Sequence, residues 1–444
     1  DKIGIPTIGV SFGSPYLPRY DILDTYVAAY GYGEVSVKAL SNALWGREVV
    51  DGVLPVDLDS EYKRGMGLKK KVINLGKSNL NFNFDDAIGV IDSAIQNRIF
   101  PGAQVAISLR GDLLYSKGFG QYTYDLNSPN VNSQTIYDLA SLTKVLSTVP
   151  IIMKLIAQKK LSLDQEVYQF FPKFVGTDKD LVTIRHLLCH SSGLDSYVPF
   201  YKNKKIKSKK EILNYIINSE LKYKPGTQSL YSDLGYILLT SIIEKVAGNN
   251  IDKLASSWIY KPLSMKNTSY LPAIELKTLI APTENDIEFR NKLIHGEVHD
   301  ENTFIMGGVS GHAGLFSNAE DVLKFAQLWI DKGLYQNKRY FKTSQIIEFM
   351  QKQNLPIGSD FALGWDTPSN TGKSIAGDFF SEGSIGHLGF TGTSVWIDPN
   401  REIAIVLLTN RVHPSRKEEY GSREMYGIRR NFYNNIMKVL IQDF

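Results

Sequence analysis

Three Ser-x-x-Lys patterns place a serine and a lysine three residues apart, the spacing that a lysine-assisted serine nucleophile needs on a helix. They occur at Ser60–Lys63, Ser141–Lys144 and Ser219–Lys222. Only the second lies in a long apolar stretch, YDLASLTKVLSTVPIIMKLI, whose residues keep the period of a buried helix. Burial lowers the pKa of a lysine, so Lys144 could accept a proton from Ser141. The alternative for this pair is an N-cap serine beside an exposed lysine.

The start of this helix also suits a developing negative charge. The first N–H groups of a helix have no partner within it, and the helix dipole favours an anion there. In EGSIGHLGFTGTSVWID, His387 and Gly389 approach a β-prone run among glycines that let a backbone N–H come close to a substrate. The alternative for His387 is a purely structural histidine.

Tyr231 and Asp233 form a third candidate group in PGTQSLYSDLGYILLTSIIEKVAG, just before an amphipathic helix that is predicted to begin near Leu234. A tyrosine hydroxyl can carry protons, and a carboxylate can pair with a lysine. The alternatives are that Tyr231 is a core aromatic and that Asp233 caps the helix.

Two histidine-containing segments are weaker candidates. HGEVHD contains His295 and His299 at i and i+4, but Gly296 and the polar sequence favour a loop, so we predict no metal there. RHLLCHSSGL is predicted to end a helix with Cys189 packed inside, which argues against a thiol nucleophile. We instead interpret VHDEN and GHAGLF as a substrate-facing loop. The predicted substrate contacts are Asp233, His299, Asp300 and His312.

Length and composition limit the class of protein that can contain these groups and suggest how the chain is divided into domains. The 444 residues are 43% hydrophobic and 22% charged, which excludes a single small module and general disorder. The formal net charge of +4 makes no case for nucleic acid, and no apolar run reaches the ~20 residues of a membrane helix. One cysteine excludes a disulfide within the chain. We predict an N-terminal segment at 1–58, a linker at 59–84 and a main domain at 85–444.

The main domain begins with a predicted helix, FDDAIGVIDSAIQN, and two β-prone runs about a short turn, QVAISLRGDLLYSKGFG. Near its other end, TSVWIDPNREIAIVLLTN predicts a second hairpin, followed by a helix over roughly 423–441. These elements predict an α+β fold whose two ends share one antiparallel sheet. Residues 1–58 are predicted to form a small α/β segment.

These motifs, in this order, resemble the serine β-lactamase and penicillin-binding protein superfamily, particularly its class C-like branch, over about residues 85–440. The segments LSLDQEVYQFFP, TIRHLLCHSSGL and LLTNRVHP agree as well. The resemblance implies a β-lactamase/DD-peptidase fold in which Ser141 forms an acyl-enzyme, Lys144 deprotonates it and Tyr231 relays protons. It implies that the N–H of Phe390, after Gly389, forms the oxyanion hole with that of Ser141. It implies no cofactor and no metal.

Two positions depart from the superfamily pattern. His387 stands where members that interact with penicillin usually carry lysine, so a permanent cation for a carboxylate is missing there. Asp233 stands where asparagine is common, and its charge favours the protonated form of Lys144. The second change raises the importance of Tyr231, and both argue against efficient penicillin hydrolysis.

A further resemblance predicts the substrate. VHDEN and GHAGLF are similar to segments of serine-type N-acetylmuramyl-L-alanine amidases and of the related low-molecular-weight penicillin-binding proteins. This resemblance implies an amidase that separates the stem peptide of a muropeptide from muramic acid. The alternatives are a D-alanyl-D-alanine carboxypeptidase, a β-lactamase, an esterase or an inactive peptidoglycan-binding module. A cell-wall substrate fits an envelope, periplasmic or secreted location, and a recycling role fits the cytoplasm equally well.

Residues 1–58 resemble the last part of the C-terminal α/β domain of glycoside hydrolase family 3 β-N-acetylglucosaminidases. SFGSPYLPRY, VAAYGYGE, ALWG and GVLPVDL carry this resemblance. No KHFPGHG-type catalytic loop of that family occurs, so this chain alone is not expected to cleave glycosides. The resemblance implies that this chain is the tail of a longer fusion with an upstream glycosidase domain. Because the chain opens at Asp1 without a methionine or an apolar signal segment, we expect its true N-terminus to lie upstream.

Overall fold

The computed structural model describes residues 7–16, 25–44, 52–59, 62–66, 82–336, 338–369, 374–417 and 424–443. The chain divides into two compact units. The first comprises 1–74 with Leu334–Tyr340, and the second comprises Leu75–Gly333 with Phe341–Phe444. Of the predicted linker at 59–84, only residues 59, 62–66 and 82–84 lie within the described part of the chain.

The first unit contains a short α/β arrangement. Strands β1 (Ile8–Ser11) and β2 (Thr25–Ala28) pair in parallel, and helix α1 (Glu34–Leu44) follows. Strands β10 (Leu334–Tyr335) and β11 (Lys338–Arg339) form an antiparallel hairpin in the same unit. The strands and the helix agree with the predicted α/β character of this segment.

The centre of the second unit is a five-stranded antiparallel sheet in the order β12-β13-β14-β3-β4. Its N-terminal strands are β3 (Gly102–Leu109) and β4 (Asp112–Gly120). Its C-terminal strands are β12 (Ile385–Leu388), β13 (Ser394–Asp398) and β14 (Ile403–Thr409). Because β14 pairs with β3, with Ile405 opposite Ile107, the two ends of the domain share one sheet as predicted.

Helices cover both faces of this sheet, which explains why every residue of β3 and β14 is buried. Alternate residues of β3, such as Val105 and Ile107, join the core with α2 (Asp85–Gln96) and α11 (Met425–Leu440). Gln104 faces the other way and accepts a hydrogen bond from the N–H of Ala319, at the start of α9 (Ala319–Ile330). The α+β prediction is confirmed.

A helical region and a small sheet complete the second unit. Its helices are α3 (Val149–Ala157), α4 (Ile184–Leu188), α5 (Lys209–Asn218), α6 (Asp233–Ala247), α7 (Ile251–Ala255), α8 (Glu301–Ile305) and α10 (Thr343–Met350). A three-stranded sheet contains β5 (Tyr137–Asp138), β9 (Leu315–Ser317) and β6 (Ser269–Tyr270), and β7 (Asn285–Asp286) pairs with β8 (Lys292–Leu293). Within the described part of the chain, no helix combines the length and the hydropathy of a membrane span.

The start of α6 corrects one sequence interpretation. The N-cap residue is Ser232, whose hydroxyl accepts a hydrogen bond from the N–H of Gly235, and Asp233 is already the first helical residue. The carboxylate of Asp233 therefore does not cap the helix and is available for another partner. The prediction that RHLLCH ends a helix is confirmed, since α4 ends at Leu188 and Cys189 is fully buried.

Candidate active site

Ser141 lies in a constrained turn between β5 and the buried helical stretch that contains Lys144. The preceding residue, Ala140, has φ +47°, a left-handed conformation that costs a non-glycine residue about 1–3 kcal/mol. Its N–H donates to the carboxylate of Asp138, 2.8 Å away, which holds the turn. A π-helical turn spans Lys144–Thr148 and joins α3 directly before Pro150, which has no N–H to continue the α-helical ladder. Ser141 is thus held at the start of a buried helical stretch.

Lys144 is completely buried, and all three of its N–H donors have acceptors. Its Nζ atom lies 3.0 Å from Ser141 Oγ, 2.7 Å from Asp233 Oδ1 and 3.1 Å from the carbonyl oxygen of His312. The ammonium also lies 4.8 Å from the centroid of the Tyr231 ring. The structure therefore brings the serine, lysine, tyrosine and aspartate of the sequence prediction together.

The charge of Asp233 decides the protonation state of this lysine. Burial alone lowers the pKa of Lys144, but the charges of Asp233 and Tyr231 and their hydrogen bonds prevail, so the pKa is raised. Lys144 is accordingly an ammonium in the resting enzyme and donates to Ser141 instead of accepting its proton. The charge effect predicted for Asp233 is confirmed.

Tyr231 and two histidines form an aromatic group beside Lys144. The ring centroid of Tyr231 lies 4.4 Å from that of His190 and 6.1 Å from that of His387. Burial raises the pKa of Tyr231, although the neighbouring Lys144 and Ser141 oppose the shift. Tyr231 is therefore a neutral phenol, able to donate a proton as well as accept one. His190 accepts a hydrogen bond from the N–H of Ser232, which fixes the backbone next to Tyr231.

His387 is neutral, as its type and position predicted. Burial and the nearby charge of Lys144 lower its pKa to about 3. Its Nδ1 atom lies 2.8 Å from the carbonyl oxygen of Leu388, which can only accept, so Nδ1 carries the proton. The other ring nitrogen, Nε2, is then a hydrogen-bond acceptor. His387 does not provide the cation that a lysine would provide at this position.

The turn of residues 389–393 is attached directly to the segment that carries Ser141. Thr391 donates a hydrogen bond to the carbonyl oxygen of Asp138, and Thr393 donates one to that of Leu139. A Cβ atom at Gly389 would lie 2.0 Å from Thr393 Oγ1 and 2.5 Å from the carbonyl oxygen of Leu139, so only glycine fits. From α11, Arg429 donates to the carbonyl oxygens of Gly389 and Thr393.

Two backbone N–H groups at this junction are open. The amides of Ser141 and Phe390 donate no hydrogen bond to any described residue, whereas the Gly389 amide is bonded to Thr393. Backbone N–H groups in a folded protein rarely lack a partner. The pair has the donor set of an oxyanion hole, and the threonine hydrogen bonds hold one donor segment against the other.

The three predicted contacts from the loop segments have different surroundings. His312 is buried, bonded to Ser310 and Asp300, and supports the site through its carbonyl oxygen, which accepts from Lys144. Asp300 caps α8. Burial raises the pKa of its carboxyl, but the charge of His312 and the hydrogen bonds from His312 and Thr303 outweigh burial, so the pKa is lowered overall. The N–H of His299 donates to Asp138, and its ring stacks on that of Phe390 at 5.7 Å.

A cluster of buried charges borders the Phe390 side of the site. Glu284 bonds His299 Nε2 at 3.0 Å and pairs with Arg416, which also pairs with Glu301 at 2.8 Å. Burial raises the pKa of Glu284, but His299 and Arg416 bring it down to about 2. A cavity of about 200 Å³ lies beside the cluster, lined by 284–288, Glu301 and 414–417. These charges are paired with one another.

The sequence matches the Beta-lactamase family over residues 89–426. The chain belongs to this family. It is 34% identical over 363 residues to an N-acetylmuramyl-L-alanine amidase from Bacillus subtilis (strain 168), covering 73% of this chain and 80% of the relative. It is 33% identical over 358 residues to a protein from Salmonella typhi that is provisionally named a D-alanyl-D-alanine carboxypeptidase, covering 73% and 82%.

Among solved structures, the β-lactamase-family domain is similar to an octameric penicillin-binding protein homologue from Pyrococcus abyssi. The TM-score is 0.61 with 24% identity, covering 78% of this chain and 76% of that chain. This likeness confirms the predicted fold. Together with the family match and the two relatives, it identifies the chain as a serine hydrolase of the β-lactamase family.

Sequence reasoning missed several residues that build this site. Asp138, Thr391 and Thr393 hold the two donor segments together, and Arg429 supports the turn from α11. Arg411, which was not singled out in LLTNRVHP, lies over the Phe390 ring at 4.6 Å. The one sequence signal that could have indicated Arg411 is its position two residues after a strand of apolar residues.

Proposed function

We propose that the chain is an N-acetylmuramyl-L-alanine amidase that acts through an acyl-enzyme on Ser141. The observation that carries the proposal is the hydrogen-bonded group of Ser141, Lys144 and Asp233 beside the open amides of Ser141 and Phe390. A nucleophile, a proton-transfer group and oxyanion donors are the parts that acyl transfer requires. The amidase from Bacillus subtilis supports the choice of substrate.

Because Lys144 is protonated at rest, the reaction needs a proton to move before Ser141 attacks. We propose that the proton passes from Lys144 to Asp233 across their 2.7 Å contact, leaving an amine that accepts the Ser141 proton. Ser141 Oγ then adds to the lactyl carbonyl, and the two open amides hold the oxyanion. The C–N bond breaks as Tyr231 passes a proton from Lys144 to the departing nitrogen. Water hydrolyses the resulting ester, which releases N-acetylmuramic acid and restores Ser141.

The second candidate is a D-alanyl-D-alanine carboxypeptidase, which the relative from Salmonella typhi favours. Both reactions use the same acyl-enzyme chemistry, and they differ in which amide bond lies at Ser141. The segments VHDEN and GHAGLF, which place His312 and Asp300 behind Lys144, are the part of the sequence similar to amidases.

Mass spectrometry of the products distinguishes the two activities. The protein is incubated with N-acetylmuramyl-pentapeptide beside its Ser141→Ala variant. We expect intact pentapeptide and free N-acetylmuramic acid from the wild type and neither from the variant. Loss of one terminal alanine would instead identify a carboxypeptidase, and an unchanged substrate would favour an esterase or a peptidoglycan-binding module.

We also propose that residues 1–58 are the end of a β-N-acetylglucosaminidase domain in a longer protein whose two activities serve muropeptide turnover. The parallel strands β1 and β2 followed by α1 are compatible with such an α/β domain. A location at the cell envelope or in the secreted fraction fits this substrate, with the cytoplasm as the alternative for recycling. We expect that this chain does not cleave a chromogenic N-acetylglucosaminide, and cleavage of that substrate would contradict the proposal.

Fractionation of cells that express the full-length protein tests the location.

A further inference from the structure

Two arginines lie over the ring of Phe390, and they differ in their partners. The Cζ atom of Arg416 lies 5.9 Å from the ring centroid, and its guanidinium pairs with Glu284 and Glu301. The Cζ atom of Arg411 lies 4.6 Å from the same centroid. Within the described residues, the guanidinium of Arg411 donates no hydrogen bond and joins no ion pair.

An unpaired arginine in this environment is unusual because Arg411 is only 8% exposed. Burial, and to a smaller extent the charge of Arg416, lowers its pKa to about 10 although the carboxylate of Glu284 opposes the shift, so Arg411 still carries its charge at neutral pH. Buried charges normally pair with an opposite charge, because the loss of hydration is otherwise uncompensated. The Phe390 ring provides a cation–π contact but accepts none of the guanidinium's five N–H donors.

Arg411 is held against the turn that carries the open amide of Phe390. It follows β14 by two residues, and its own N–H donates to the carbonyl oxygen of Thr391 at 2.9 Å. Its side-chain stem packs against Gly392, where an added Cβ atom would lie 2.8 Å from Arg411 Cγ. The turn therefore carries both an oxyanion donor and an unpaired cation.

We propose that Arg411 binds a carboxylate on the leaving group of the substrate. A planar guanidinium can bind a carboxylate through two parallel hydrogen bonds. This assignment rests on the proposed amidase function and applies to N-acetylmuramyl-L-alanine, in which the acyl half has no free carboxylate and the alanine has one next to the departing nitrogen. In a longer stem peptide the alanine carboxyl is an amide, and the carboxylates of the leaving group lie further from that nitrogen. Arg411, two residues after β14, thus supplies the cation that neutral His387 does not provide. A carboxypeptidase substrate would present the same leaving-group carboxylate, so Arg411 does not decide between the two activities.

The test compares kcat/KM for N-acetylmuramyl-L-alanine and for its uncharged analogue N-acetylmuramyl-L-alaninamide. In the wild type we expect the acid to be preferred by about 10- to 100-fold, the effect of hydrogen bonds to a charged group. Arg411→Gln should bring the ratio close to one, mainly by lowering the rate for the acid. Arg411→Lys, which keeps the charge but not the planar fork, should have an intermediate ratio. Lys204→Gln removes one exposed charge and should leave the ratio unchanged.

A second substrate pair separates a failure of this proposal from a failure of the amidase function. Aryl esters of N-acetylglycine with 3-hydroxybenzoate or 3-hydroxybenzamide as leaving group require only the acyl-enzyme chemistry. If neither muramyl substrate is cleaved but Arg411→Gln abolishes the acid preference for the esters, Arg411 keeps its role and the amidase function is wrong. Equal acid-to-amide ratios in the wild type and in Arg411→Gln for every cleaved pair would overturn the proposal, as would an equal effect of Lys204→Gln.

Discussion

The two sides of the active site use their polar groups in opposite ways. On the helix side, which we define as Ser141, Lys144, Tyr231 and Asp233, the buried ammonium has three acceptors within the protein. On the turn side, which we define as residues 387–393 with Arg411, the Phe390 amide and the Arg411 guanidinium have none among the described residues. Internal pairing of the Lys144 ammonium positions reactive groups in advance, whereas the two open donors of the turn side, together with the open amide of Ser141 across the junction, remain for a ligand.

The largest expected effect comes from removing the nucleophile on the helix side. Ser141→Ala should abolish covalent labelling by a fluorophosphonate and lower the hydrolysis rate by at least about 10³-fold, because no other group can form the acyl-enzyme. Ser219→Ala is the matched control, since it removes the serine of another Ser-x-x-Lys pattern, at the end of α5. Labelling is read from the mass of the intact protein. A labelled Ser141→Ala variant would place the nucleophile elsewhere.

The next largest effect should come from adding a side chain at Gly389, where the turn side touches the segment that carries Ser141. In Gly389→Ala the new Cβ atom would collide with Thr393 and with the carbonyl oxygen of Leu139, so the turn must move away from Ser141. Loss of one oxyanion donor costs about 10²- to 10³-fold in kcat. Gly427→Ala, in α11 with nothing near the added atom, is the control and should keep full activity. Steady-state kinetics with both variants measure the effect, and normal kcat in Gly389→Ala would contradict the oxyanion assignment.

The two arginines over Phe390 should differ in their effect on stability. Arg416→Gln leaves Glu284 and Glu301 together without their cation, and we expect a loss of about 3 kcal/mol in the free energy of unfolding. Arg411→Gln removes a cation that forms no ion pair with a described residue, and we expect a change within about 1 kcal/mol. Urea unfolding of both variants at neutral pH provides the comparison. Equal destabilisation would mean that Arg411 is structural.

A smaller effect concerns the pH dependence on the helix side. In the wild type the Lys144 proton passes to Asp233, so kcat/KM should not follow the pKa of that lysine. Asp233→Asn removes this acceptor, and the lysine must then lose its proton to solvent. The kcat/KM of the variant should therefore rise with pH through the pKa of Lys144, which is lower without the charge of Asp233. The pH profile of kcat/KM for an aryl ester tests this. An unshifted profile would show that another group, such as Tyr231, is the base.

The smallest effect is expected from restoring a cation on the turn side. His387→Lys places a positive charge beside Lys144, which lowers the pKa of that lysine and attracts the carboxylate of penicillin. We expect acylation by penicillin to become about threefold faster, a gain worth less than one kcal/mol. Stopped-flow acylation measures it, with thermal unfolding as the check on folding. An unchanged acylation rate in His387→Lys would contradict the specificity argument based on His387.

Periodicity predicted the parts of this fold that depend on local contacts. The apolar spacing of α2, the hairpin of β3 and β4, and the hairpin of β13 and β14 were all expected from the chain. The sequence also predicted that the two ends of the domain share one sheet, and the pairing of β14 with β3 is the contact that joins them. The alternative that Asp233 caps α6 is wrong, since Ser232 is the N-cap. Either side chain can cap a helix, and only the backbone conformation chooses between them.

The sequence by itself determined the residue types and short spacings of the site. Ser141 and Lys144 meet because residues three apart share a helix face, whatever the rest of the fold does. Only the tertiary structure brought Asp233, 89 positions along the chain, to 2.7 Å from Lys144, and left the Arg411 guanidinium without an ion pair to any described residue. Protonation and pairing depend on burial and on charges brought close by folding, and neither can be read from the order of residues.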